Sequence, residues 1–228
     1  MEWQLLNELS EADRRLVLSL AHRRRFARGE VLFHEGDPAD SLHFIAEGRV
    51  MARRTTEAGD SVAFRVIGRG RALGDVSVSS SNARRSSTIV ALEATTTLSV
   101  GFEEFRRLCA AHPGIQQHLA TLLSARVRRL SDQLLDAFFL PSDRRVVRRL
   151  LDLCDQYAES ADQQVLVPLT QSDIAELSGA TRPTTNRVLR GLESDGLVRL
   201  GRGRVLVLDR DTLRRRDGLT LGVSRSGG

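Results

Sequence analysis

Lysine is absent from this 228-residue chain, so all 34 of its basic side chains are arginine, against 29 carboxylates. Cysteine is nearly absent. Cys109 and Cys154 stand far apart, each within an apolar or amphipathic stretch, which excludes a disulfide framework and a cysteine-rich metal site and leaves two buried thiols. The five histidines, His22, His34, His43, His112 and His118, show no ligand spacing and include no His-x-His pair. Nothing in the chain offers the clustered His and Glu that a cupin-like metalloenzyme, the rival reading from another class, would need. No run of about 18 apolar residues occurs, so no helix is expected to span a membrane. The N-terminus MEWQLLNELSEADRR carries acids where a signal peptide would carry a basic and then an apolar region. The expectation is a soluble, cytoplasmic protein, not an enzyme, with no membrane partner.

With 41% hydrophobic residues, the chain can bury a sizeable core, and its length fits one large domain or two smaller ones; two are expected. A formal charge of +5 carried by arginine suits a phosphate-bearing partner, because guanidinium stays charged and binds phosphate bidentately.

Three segments follow one another. Helical patterning over Glu11 to Leu20 predicts a short capping helix. From Gly29 to about Val100, short apolar runs alternate with Gly29, Gly36, Gly48, Gly59 and Gly74, which predicts an antiparallel β-sandwich or roll. From Pro113 to about Phe138 the pattern turns helical. Leu119, Leu123, Val127, Leu130, Leu134 and Phe138, spaced three and four apart, form one narrow stripe suited to sealing against an equivalent helix. Pro141 closes that helix, and Ser142 is read as the N-cap of the next, with the domain boundary placed here.

The segment LTQSDIAELSGATRPTTNRVLRGLESDGLVRL reads as helix, turn, helix: Thr170 caps the first helix, Gly179 makes the turn, and Thr181 caps the second. Ile174, Ala175 and Leu177 are expected to pack on Val188, Leu189 and Leu192. That leaves Arg182, Thr184, Thr185, Asn186 and Arg187 at the exposed start of the second helix, with Pro183 at an early position where its missing N–H costs little. Such a helix enters the major groove, where arginine bonds guanine O6 and N7 while hydroxyls and free N–H groups take phosphates. The DNA-contacting set read this way is Thr170, Gln171, Thr181, Arg182, Pro183, Thr184, Thr185 and Arg187. GLVRLGRGRVLVLD then reads as two strands about Gly201-Arg202-Gly203, a wing.

Taken together, GEVLFHEGDPADSLHFIAEGRV and SDIAELSGATRPTTNRVLRGLESDGLV resemble two signatures of the CRP/FNR family of bacterial transcription regulators, and the resemblance covers nearly the whole chain. It implies an α+β fold: an N-terminal antiparallel β-roll effector domain over residues 1–112, a dimerisation helix over 113–140, and a winged helix-turn-helix DNA-binding domain over 141–218. Residues 219–228 are expected to be a disordered tail. The implied partners are double-stranded DNA with a roughly palindromic operator and a second copy of the chain, and the resemblance admits RNA polymerase as well.

The stretch GDVSVSSSNARRSST is similar to the family's phosphate-binding cassette, Gly-Glu, a short helix and loop, then Arg-Ser-Ala or Arg-Ser-Thr. The implied ligand residues are Gly74, Asp75, Val76, Arg84, Arg85, Ser86 and Ser87, with Leu130 and, toward the ligand of the partner subunit, Ser131 on the long helix. Asp75 is one methylene shorter than the usual glutamate, and Leu130 stands where cAMP-responsive members carry threonine. Three readings stay open: a cyclic mononucleotide (cAMP or cGMP), a cyclic dinucleotide such as cyclic di-GMP served by adjacent Arg84 and Arg85, or no nucleotide, with Arg85 paired internally. Iron–sulfur and haem sensing lack the cysteine and histidine ligands they need.

Overall fold

The structure, a computed structural model, describes residues 3–7, 9–57, 59, 61–74, 83–158 and 164–217. The chain divides into two units, Met1–Leu134 and Leu135–Gly228. The division falls inside the long helix rather than at Pro141, so the helix does not form a unit of its own.

In the first unit two four-stranded antiparallel sheets form the roll. One orders β1 (His22–Phe26), β8 (Thr95–Gly101), β3 (Ser41–Glu47) and β6 (Ala72–Leu73); the other orders β2 (Val31–Phe33), β7 (Thr88–Ala91), β4 (Arg49–Thr55) and β5 (Ser61–Gly68). Strand β3 shows how the layers are built. Its period of two sends Leu42, Phe44 and Ala46 into one buried cluster and Ile45 into another. The first cluster gathers Trp3, Leu5 and Leu6 of the N-terminal turn, Val17 of α1 (Glu11–Ser19), Phe105 of α2 (Phe102–Ala111) and Ile115 and Leu119 of α3 (Pro113–Phe139). The second joins Ile45 to Val50, Ala52, Ile67, Leu73 and Ile89 of the remaining strands. Trp3 meets Phe44 edge to face at 5.6 Å between ring centroids. At the turn between β3 and β4, Gly48 has φ +80°, and a Cβ there would stand 2.5 Å from the Ala94 carbonyl oxygen, so only glycine fits.

The second unit packs α4 (Ser142–Tyr157), α5 (Gln171–Ser178) and α6 (Arg182–Ser194) beside a three-stranded antiparallel sheet, β10 (Val198–Gly201), β11 (Arg204–Val207) and β9 (Val165–Val167), and ends in α7 (Arg210–Arg216). Pro141, not Ser142, occupies the N-cap of α4, and it has no side chain to cap with; Ser142 is the first helical residue. Val146, Leu150, Leu153 and Cys154 make the buried face of α4, and burial pushes the Cys154 thiol up to about 12, as an inert core thiol requires. The wing forms as expected, its turn Arg202-Gly203 taken by Gly203 at φ +69°.

Candidate functional site

The cassette begins at Gly74, whose φ is +88° and whose missing Cβ makes room for Arg85: an added Cβ would lie 2.8 Å from Nη1 of Arg85 and 2.9 Å from the Ser41 carbonyl oxygen. Asp75 and Val76 fall outside the described residues. On the returning side, residues 83–85 run along residues 36–39: the Arg85 N–H donates to the Asp37 carbonyl, the Gly36 N–H to that of Arg85, and the Ala39 N–H to that of Ala83, each at 2.9 Å.

Arg85 is only 5% exposed. Its Nη1 donates to the Ser41 carbonyl at 2.8 Å, and its Nη2 to Ser41 Oγ at 3.2 Å and Asp40 Oδ1 at 3.3 Å, while its guanidinium lies 4.1 Å from the centroid of Phe33. It therefore pins the cassette to β3 before it can do anything for a ligand. Arg84 is exposed and donates to the Gly36 carbonyl at 2.8 Å. It lines neither of the cavities described next.

Beside this anchor lie two cavities, both lined by Ala52, Arg65, Ser86, Ser87 and Arg126. The smaller, about 30 Å³, also reaches Gly74 and Arg85. The larger, about 480 Å³, is walled by Phe64, Leu123, Val127 and Leu130, with Arg54, Arg129 and Gln133 at its polar edge. Among the described residues, four arginines and no carboxylate line it. An apolar slot with a ring of guanidiniums and two serine hydroxyls suits an anion that carries a flat apolar group. Of the implied ligand residues, Ser86, Ser87 and Leu130 line this cavity. Ser131 does not line the cavity; it is exposed and its hydroxyl donates to the Val127 carbonyl of its own helix. Arg65, in an ordinary strand, and Arg126, beside the α3 stripe, line both cavities with no local sequence signal that marks them for it.

The stripe on α3 splits. Leu119 is buried in this unit's own core, which corrects its assignment to an interface between copies, while Leu123 is partly buried against that core. Val127, Leu130, Leu134 and Phe138 are 62%, 43%, 58% and 74% exposed.

In the second unit, Thr170 accepts from the Asp173 N–H while the Asp173 carboxylate accepts from the Thr170 N–H and hydroxyl, closing a capping box. Its hydroxyl is thus spent on α5 and is not open to a phosphate as expected. Gly179 ends α5 at φ +58°. From α4, Arg145 donates to the Ser178 and Gly179 carbonyls and Arg149 to that of Leu177, so two cations satisfy the C-terminal carbonyls of α5 and fix the helix pair.

Thr181 caps α6 by accepting from the Thr184 N–H, Pro183 follows in the first turn, and no acid stands there. Thr181, Arg182, Pro183 and Arg187 are exposed, and Thr184 is half-exposed. Thr185 is the exception: it is fully buried, because it shares the inward face with Leu189 and Leu192 at helical spacing, and cannot touch DNA. Gln171 accepts from Asn186 Nδ2 at 2.8 Å, and Arg190 donates to Asn186 Oδ1 at 3.0 Å, so the start of α5 is tied to the outer face of α6. Arg182 has no ion-pair partner among the described residues. Arg187 meets Asp143 of α4, which sequence reading missed because the two lie 44 positions apart.

Residues 23–112 match the cyclic nucleotide-binding domain and residues 144–216 the Crp-like helix-turn-helix domain. The chain is 32% identical over 193 residues to the CRP-like cAMP-activated global transcriptional regulator of Mycobacterium tuberculosis, covering 84% of this chain and 86% of that one. It is also 32% identical over 206 residues to the cyclic AMP receptor protein of Thermus thermophilus, covering 89% and 91%. Among solved structures, the c-di-GMP responsive regulator CLP of Xanthomonas campestris aligns with a TM-score of 0.76 at 23% identity, over 87% of this chain and 99% of that one, a likeness of fold. The catabolite activator protein of Thermus thermophilus aligns at 0.54 with 30% identity, over 96% and 100%.

Proposed function

The chain belongs to the CRP/FNR family of bacterial transcription regulators, and we propose that it is a homodimeric DNA-binding regulator whose grip on an operator is set by cAMP, or failing that cGMP, held against α3. The observation that carries this reading is the larger cavity: it meets the cassette serines on one side and α3 on the other, and among the described residues its lining holds four arginines and no carboxylate. The cyclic phosphate sits on Ser86 and Ser87, with the buried Arg85 behind it and Arg126 across from it; the purine lies along Phe64, Leu123 and Leu130. With leucine at position 130 the base is held by apolar contact there, so discrimination between adenine and guanine falls to the cavity's polar edge. Relatives named for cAMP support the nucleotide class.

The ligand touches α3 from Leu123 to Gln133, and the same helix carries the exposed stripe from Val127 to Phe138. Occupancy biases how two copies of α3 seal, and α3 is followed in sequence by α4, which packs on α5 and the recognition helix α6. By linkage, operator DNA tightens nucleotide binding by the factor that nucleotide tightens operator binding. Two α6 helices related by a two-fold axis read half-sites about 34 Å apart.

Calorimetric titration with cAMP, cGMP and cyclic di-GMP tests the effector. Arg126→Ala is expected to weaken the binding nucleotide about tenfold or more, since it removes a charged partner of the phosphate. Absence of heat with any of the three would sink the nucleotide reading. On the DNA side, Arg187→Ala is expected to cost about 1–3 kcal/mol on the selected operator and relax one base pair per half-site. Selection from a randomised operator pool at fixed salt checks this, and identical half-sites from both proteins would make Arg187 a phosphate clamp.

A further inference from the structure

The ion pair between α4 and α6 has an unusual place. Asp143 lies in the first turn of α4, and Arg187 lies on the outer face of α6 beyond the free first turn. They meet as a fork: Nη1 of Arg187 donates to Oδ2 of Asp143 at 3.0 Å and Nη2 to Oδ1 at 2.8 Å. Both side chains are open to solvent, at 65% and 45% exposure. A pair this exposed adds little to folding. Nor is it needed to seat α4 on the helix pair, which Arg145 and Arg149 already do through the carbonyls of Leu177, Ser178 and Gly179.

What the pair does fill is chemical. An arginine grips guanine O6 and N7, or two phosphate oxygens, through two parallel N–H donors. On Arg187 both terminal nitrogens are already given to a carboxylate, whose two oxygens present the same spacing of acceptors as the DNA groups it would meet. Arg182, by contrast, has no ion-pair partner among the described residues.

We propose that Asp143 sets the strength of DNA reading by acting as a built-in competitor for Arg187, holding its terminal nitrogens until an operator displaces the carboxylate. The proposal rests on the reading of α6 as the recognition helix. Its physical logic is exchange. A phosphate offers the fork two charged oxygens no better matched than those of the carboxylate already on it, so on arbitrary DNA Arg187 gains little by leaving Asp143. A guanine edge that offers two acceptors can take its place, and the cost of breaking the pair is charged against every operator complex. Asp143 acts through Arg187 and is a positioning residue, not itself a base contact.

The test is a double-mutant cycle in the full-length protein. Operator affinity is measured by fluorescence anisotropy at fixed salt for wild type, Asp143→Asn, Arg187→Ala and the double variant, the operator being the one selected by wild type. Asparagine keeps the size and loses the charge. Asp143→Asn is expected to tighten operator binding by about two- to five-fold, the range an exposed ion pair allows. On random-sequence duplex, the freed Arg187 reaches phosphate, and the salt dependence steepens by about one counterion. In the Arg187→Ala background the same substitution is expected to change nothing, which a merely structural role of Asp143 would not produce. Equal tightening in both backgrounds means plain repulsion between Asp143 and phosphate and overturns the proposal. So does weaker binding by Asp143→Asn, which would make the carboxylate a brace that presents Arg187, and so does no change at all. If wild type itself selects no sequence, the recognition-helix reading fails first, a result visible before any variant is made.

Discussion

Lowering the pH from 7 to about 4 is expected to strip about 3 kcal/mol from the first unit through His43 alone. The side chain of His43 sits at 2% exposure among β3, β8 and the cassette anchor. Its Nδ1 pairs with Thr97 Oγ1 at 3.2 Å and its Nε2 with Ser41 Oγ at 3.3 Å, while its ring lies 5.8 Å from Phe33. Burial first, then the positive charges of Arg85 and Arg24, lower its pKa from 6.5 to about 4, against the smaller opposing pull of Asp40. The folded chain therefore keeps His43 neutral where the unfolded chain protonates it. Above about pH 6.5 neither state carries the proton and no stability is lost; between about 6.5 and 4 the unfolded state binds more protons, so stability falls at about 1.4 kcal/mol per pH unit.

Trp3, the chain's one tryptophan, is buried against Phe44 in the same unit and reports its unfolding by fluorescence. Urea midpoints measured across this pH range should fall steeply for wild type and much less for His43→Gln, which keeps a donor and an acceptor but cannot take the proton. Carboxylates titrate in both proteins, so the difference between the two curves isolates His43. Parallel curves would show that the imidazole is not held neutral. The consequence reaches the effector site, because Ser41, which His43 touches, also holds Arg85.

How much of this was legible follows from how local each cause is. The caps Thr170 and Thr181 and the turn at Gly179 are signals within a few residues, and the helix-turn-helix stands where they put it. Strand β1 was missed because HRRRF places a charge or ring at every position and shows no alternation, and β9 because three residues carry no period. The inward place of Thr185 is legible in the period, since it lies four and seven residues before Leu189 and Leu192, although its hydroxyl points to a phosphate contact. The partners of Arg85, Asp40 and Ser41, lie at the start of β3 and just before it, more than 40 positions back, so the residues around Arg85 could not choose between a ligand-facing and an inward-paired arginine. Arg126 belonged to a helix whose stripe drew attention to its apolar face, while the cavity its other side closes exists only once α3 lies along the roll.

The stripe itself makes the strongest demand. Val127, Leu130, Leu134, Leu135, Phe138 and Phe139 leave a run of large apolar groups open on α3, which a lone chain would expose to water. In the homodimer proposed above, the same helix of a second copy would cover them, each residue near the two-fold axis facing its own copy. Leu134→Glu is accordingly expected to set two carboxylates against each other in a buried seam and to raise the dimer dissociation constant about a thousandfold, about 4 kcal/mol. Leu134 lies in neither core cluster nor in the cavity lining, so the fold and the nucleotide site are left in place, which Leu119 or Leu123 would not allow. Trp3 fluorescence checks the first, and sedimentation over a range of concentrations reads the dimer. Operator affinity should collapse in step, because a monomer engages one half-site where the dimer engages two. An intact dimer in Leu134→Glu would remove the seam from α3. A dissociated protein that still bound the full operator as wild type does would keep the seam but deny that it couples the two recognition helices, and with it the route from nucleotide to DNA.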